Sequence, residues 1–185
     1  FPVVATGVGA GAAMVSDRRT SGTYVEDEGI EWKVAARIRE RLGDSVHVNV
    51  TSYNRNVLLT GEAPNETVRG QLDGIVAGVE NVRGVINEVA IAPNSSLTAR
   101  GNDTLITSNV KARMIDSGAV SAHNVKVVTE ANVVFLLGIV PRSEADAAAE
   151  VARTSQGVRK VVRVFEYISD EEARRLDNPT GARRN

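Results

Sequence analysis

The residues of this chain best spaced to act together are Thr104, Leu105, Ser108, Lys111, Ala112 and Ile115. At about 100° per residue they gather on one side of a helix, and the chemistry they offer is interfacial. Leu105 and Ile115 present hydrocarbon and Lys111 a cation, a combination suited to an anionic membrane surface. On the other side, Ile106, Val110 and Met114 recur at i, i+4 and i+8 as the stripe expected to face a core. Asn102 or Asp103 is placed to cap the start of this helix, and Gly118 to stop it with a left-handed residue. A helix that is apolar inside and partly apolar outside usually has something to touch.

Catalytic chemistry finds no comparable grouping. No Gly-x-Ser-x-Gly, phosphate-binding Gly-rich loop or His-Glu-x-x-His occurs, and Gly7, Gly9 and Gly11 follow no strand. The chain has no cysteine, which excludes disulfides, thiol catalysis and thiolate metal sites within it. Its two histidines, His47 and His123, are too few for a histidine metal site, so neither an enzyme activity nor a cofactor or metal is expected. A net charge of −1 and 4% aromatic residues supply neither a basic stripe nor a stacking platform, so nucleic acid is not an expected partner.

The elements that must position the helix come in two copies. Ile30-x3-Val34-x-Ala36-Arg37-Ile38 returns 76 residues later as Ile106-x3-Val110-x-Ala112-Arg113-Met114. Val57-x-Leu59-x-Gly61-x2-Pro64 returns 77 residues later as Val134-x-Leu136-x-Gly138-x2-Pro141. Such order over more than 60 residues marks a tandem duplication. Each copy reads as helix, strand, strand, helix, strand. In the first, Glu28 to Leu42 is the helix, Val46 to Thr51 and Val57 to Gly61 the first two strands, and Asn65 a candidate cap for the second helix. Val85 to Ile91 is the last strand. The expected fold class is α+β: two units, each with two helices on one face of a three-stranded mixed sheet.

The closing Gly157-Val158-Arg159-Lys160-Val161, matched by Asn81-Val82-Arg83-Gly84-Val85, and the Val-x-Leu-x-Gly strands resemble the BON domain over residues 27–168. Asp17-Arg18-Arg19-Thr20-Ser21-Gly22-Thr23 and Asn102-Asp103-Thr104-Leu105-Ile106-Thr107 are similar to dual-BON outer-membrane lipoproteins in particular. That resemblance implies a periplasmic protein held at the inner leaflet of the outer membrane by a lipidated cysteine upstream of Phe1. It implies enrichment at the division site, support of envelope integrity, and contact between the second BON domain and anionic phospholipids such as phosphatidylglycerol and cardiolipin. In the family a Trp on the first helix of that domain makes the contact; the matching position here is Leu105.

The expected division is a flexible tether at 1–26, BON domains at 27–92 and 102–168 joined by a linker at 93–101, then a short helix and mobile tail at 169–185. Charge separates the copies: residues 27–91 carry 7 basic and 10 acidic groups, net −3, and residues 103–168 carry 8 and 7, net +1. The second is the better suited to an anionic bilayer. Trp32, on the outer side of the first helix beside Glu31, is expected to pack against the other unit or the tether. The competing expectation is a periplasmic protein-interaction or chaperone-like module acting on outer-membrane assembly proteins.

Overall fold

The computed structural model describes residues 17–179; the proposed loose tether before Asp17 and the tail beyond Pro179 lie outside them. The chain forms two compact units. One is Gly22–Ile106 with Thr129–Val133; the other, within the described residues, joins 17–21 to 107–128 and 134–179. The first copy runs α1 (Ser21–Leu42), β1 (His47–Tyr53), β2 (Asn56–Ala63), α2 (Glu66–Ala77), β3 (Gly84–Asn87) and β4 (Ala90–Ile91). The second runs α3 (Leu97–Ser117), β5 (Lys126–Glu130), β6 (Val133–Val140), α4 (Arg142–Arg153) and β7 (Lys160–Tyr167), followed by α5 (Asp170–Asp177). This is the predicted α+β pattern, made twice.

The sheets have the orders β1-β2-β3 and β5-β6-β7. In the first, β2 pairs antiparallel with β1 and parallel with β3, so the sheet is mixed. Ile30, Val34 and Ile38 of α1, Leu72, Ile75 and Val76 of α2, and Val57, Leu59 and Ala63 of β2 form one core. In the second copy the matching stripe Ile106, Val110 and Met114 is buried, as are Val134, Leu136 and Val140. There α4 contributes only alanines to the interior, Ala145, Ala148, Ala149 and Ala152. Each fully buried Val, Leu or Ile contributes about 1.5–3 kcal/mol, so this repeating stripe carries most of the fold.

The close spacing of β1 and β2 depends on a missing side chain. A Cβ on Gly61 (φ +121°) would meet the His47 carbonyl oxygen at 1.9 Å, and one on Gly138 the Asn124 carbonyl oxygen at 2.4 Å. The repeated glycine is thus steric in origin. The turn after the second helix shows why Asn81 stands where the second copy has Gly157. Both adopt the left-handed conformation, φ +68° and +85°, which asparagine tolerates better than other side chains.

Each β1–β2-type hairpin closes on two left-handed residues, Asn54 and Arg55 in one copy and Ala131 and Asn132 in the other. Such a turn leaves its N–H groups pointing away from the ladder. Asp27, 1% exposed, accepts them: Oδ2 from Asn54 N at 2.8 Å, Oδ1 from Arg55 N at 2.7 Å and from the Ser52 hydroxyl at 2.8 Å. Asp103, 76 residues on, repeats the arrangement with Ala131 N and Asn132 N, both at 2.9 Å. Asp103 is therefore not the cap of its helix. That role falls to Ser96, whose hydroxyl accepts from Ala99 N at 3.1 Å. Helix α3 consequently starts at Leu97, and residues 97–101, expected to be linker, are helical.

Two further expectations are corrected. The last strand of the first copy is split, because the Asn87 side chain accepts from Val89 N and Arg69 takes the Asn87 and Val89 carbonyls, pulling the backbone off the ladder. Residues 17–26, expected to be tether, are ordered: α1 begins at Ser21 and Arg18 is buried ahead of it. Arg18 uses all five of its N–H donors, on Glu144 (2.8 Å twice), Asp177 (2.8 and 2.9 Å) and the Ile139 carbonyl (2.9 Å). The expected cap at Asn65 is present, accepting from Val68 N at 2.9 Å.

Asp27→Ala or Asp103→Ala takes the acceptor from two or more half-buried or exposed turn donors and is expected to lower stability by about 1–3 kcal/mol, read from urea unfolding followed by circular dichroism. The hydrogen bond from Arg18 holds the Asp177 carboxyl below its usual range, against partial desolvation. A depressed native pKa stabilises above about pH 4, where the unfolded carboxyl is ionised, and the contribution is lost as pH falls through the native value. Arg18→Gln is expected to lower stability at pH 7 and to flatten the acid limb of the stability–pH curve below about pH 4.

Candidate functional site

Helix α3 is positioned by the two constraints just described, its apolar stripe in the core and Asp103 on the hairpin. With those fixed, the remaining face is determined. Thr104, Leu105, Ser108, Lys111, Ala112 and Ile115 are all exposed, Leu105 by 70% and Ile115 by 67%. Immediately beside Leu105, Ile106 is 4% exposed, so one step along the chain separates core from surface. The helix ends at Ser117, with Gly118 at φ +61° as predicted.

The structure adds a residue that the sequence reading missed. Leu97 is 83% exposed and lies five turns before Ile115 on the same side of α3. Its signal was hidden because residues 93–101 read as linker; Ser96 three residues before Ala99 was the available clue. Among the cations of this helix, Arg113 is committed to the Val151 carbonyl and the Ser155 hydroxyl, and Arg100 bonds Ser95. Lys111 and Asp116 are exposed. Thr104 turns its hydroxyl back to the Arg100 carbonyl at 3.1 Å, a contact that keeps it on the helix surface.

On α1, Trp32 is 74% and Val25 57% exposed. The described residues therefore do not cover Trp32 in the way expected. A groove between α4 and β7 is lined by Asp146, Glu150, Arg153 and Arg163, whose charges are already paired as Arg163–Asp146 and Arg153–Glu150. Among the described residues no helix is long and apolar enough to cross a membrane.

Residues 27–93 and 102–169 each match the BON domain. The chain belongs to the BON-domain family. It is 39% identical over 170 residues to the outer membrane lipoprotein DolP of Haemophilus influenzae, covering 89% of this chain and 88% of that protein. A 21 kDa hemolysin of Actinobacillus pleuropneumoniae is 37% identical over 82% of this chain and 79% of its own length. The osmotically-inducible protein Y of Escherichia coli is 28% identical over 84% of this chain and 80% of its own.

Within this BON pair, the outward residues of the first helix differ between copies while the core stripe is kept. Leu105 stands where the first copy has Gly29, Ile115 where it has Arg39, and Ser108 where it has Trp32. Apolar side chains at Leu105 and Ile115 are thus a property of the second BON unit alone. Because Leu105 is on the surface, Leu105→Glu is expected to change stability by less than about 0.5 kcal/mol. Ile106→Glu, one residue away, buries a charge in the core and should prevent folding; thermal melts of the two variants make the comparison.

Proposed function

We propose that this protein is a non-catalytic outer-membrane lipoprotein of the periplasm whose second BON unit docks on anionic phospholipid through the outer face of α3, in support of envelope integrity. The observation that carries the reading is the exposure of Leu105 and Ile115, with Lys111 between them, on a helix whose opposite side is fixed in the core. Kinship to a protein named as an outer membrane lipoprotein supports the location.

Magnitudes explain why such a face needs a second attachment. Burying a Leu and an Ile side chain yields at most about 3–6 kcal/mol, a millimolar affinity or little better once ordering costs are subtracted. Lys111 adds about 1 kcal/mol near an anionic surface. A lipid anchor upstream of Phe1 would hold the helix at the bilayer and turn this weak contact into an effectively intramolecular one. Leucine at the position where the resembling family carries Trp keeps hydrocarbon insertion and gives up the ring suited to the headgroup layer.

The contact of α3 with vesicles of different charge tests this. The chain, tethered to the vesicle surface by an N-terminal lipid or His-tag/nickel-lipid link, should protect α3 from proteolysis or quench a probe at Leu97 on phosphatidylglycerol–cardiolipin membranes and much less on phosphatidylcholine. Leu105→Glu should weaken the effect about tenfold or more at unchanged circular dichroism. Indifference of the wild-type chain to anionic vesicles would sink the assignment and leave the protein-interaction module acting on outer-membrane assembly proteins.

A further inference from the structure

His47 opens β1 opposite Glu62 of β2. Their side chains meet, with His47 Nδ1 at 2.6 Å from Glu62 Oε2. Glu130 lies in the segment 129–133 that belongs to the same compact unit, and its Oε1 faces the same nitrogen from 3.8 Å. The three side chains are nearly closed off from water, 13%, 6% and 6% exposed. Glu130 is held by its other oxygen, which accepts from Asn49 Nδ2 at 2.6 Å and from the Thr60 hydroxyl at 3.4 Å. Its Oε1 accepts no hydrogen bond among the described residues. Ser95 Oγ stands 3.3 Å from Nδ1 and accepts from Arg100 Nε at 3.2 Å.

The BON fold does not call for this cluster. At the 77-residue offset, His47 corresponds to Asn124, Thr60 to Leu137 and Glu62 to Ile139. Leu137 and Ile139 are 2% and 8% exposed, so hydrocarbon fills the equivalent positions of the second unit. Burying two carboxylates costs several kcal/mol unless cations neutralise them, and one imidazole supplies a single positive charge at most. One imidazole nitrogen and two carboxylates whose donor atoms lie within 4.8 Å of one another make a transition-metal donor set.

We propose that His47, Glu62 and Glu130 bind one divalent transition-metal ion, with Zn²⁺ the best match to two carboxylates and one imidazole. Zn–N and Zn–O bonds of about 2.0–2.2 Å place tetrahedral donors about 3.4 Å apart. The 3.8 Å separation of Nδ1 and Glu130 Oε1 is close to that value. The 2.6 Å contact to Glu62 is a proton-bridged one and opens as the metal takes the place of the proton, which leaves to solvent. Ser95 Oγ or a water completes the shell. Asn49 and Thr60 orient Glu130 and are the partners that tune affinity.

The chain's two histidines make a site-specific readout possible in the unaltered protein. Tag-free protein titrated with zinc chloride should bind one equivalent by calorimetry. The imidazole nitrogen signals of His47 should shift and saturate at that equivalent, with those of His123 as the internal control. Asn49→Ala should weaken zinc binding about 10–100-fold, and Glu130→Gln by at least tenfold. A His47 ring indifferent to zinc overturns the proposal, as does a folded Glu130→Gln variant that binds as tightly as wild type.

Discussion

In each copy of the repeat a carboxylate on the first helix reaches across to the turn between the first two strands and holds the N–H groups that the turn cannot place in a ladder. Most of the geometry follows from that bond. It sets how far along the sheet the helix sits, because the acceptor is one turn ahead of the first core isoleucine, Ile30 or Ile106. It also makes left-handed residues tolerable at the turn, Ala131 included (φ +49°), whose strain of about 1 kcal/mol is offset by two charge-assisted hydrogen bonds. With the axial position fixed by the aspartate and the rotation by the apolar stripe, the helix has no freedom left, and its outer face is decided.

The duplication, the α-β-β-α-β order and the core stripes were legible because hydrophobic spacing reports burial directly. Ile30, Val34, Ile38 and their partners 76 residues later lie where the period places them. Asp103 was misread for a physical reason. An aspartate before an apolar run carries the same local signature whether it caps its own helix or accepts from a turn 28 residues away, and only tertiary structure separates the two. The start of α3 was hidden in turn, since Gly101 and Ser95-Ser96 look like linker while Ser96 is in fact a cap. Arg18 and the companions of His47 were beyond reach. Their partners, at 139, 144 and 177 and at 62 and 130, share no periodicity with them.

The two BON units spend the same interior on different exteriors. Arg37 and Arg113 both tie the first helix to the end of the second, on the Gly78 and Val151 carbonyls. Gly61 and Gly138 both clear the neighbouring strand. Off this shared frame the copies part: an outward Trp32 in one against Leu105 and Ile115 in the other, and an ionisable pair against Asn124 and Ile139. A duplicated scaffold lets each surface drift while its twin retains the common packing. Positions that differ at equal burial are therefore the informative ones.

Arg18 has a mechanical side. All five of its donors are engaged with residues near the far end of the chain, directly ahead of the start of α1. A tug on the polypeptide upstream of Asp17 would be borne by this guanidinium and its two carboxylates before any load entered the first helix. That cluster acts as strain relief, isolating α1 and the Asp27 it carries from tension applied to the chain ahead of Asp17.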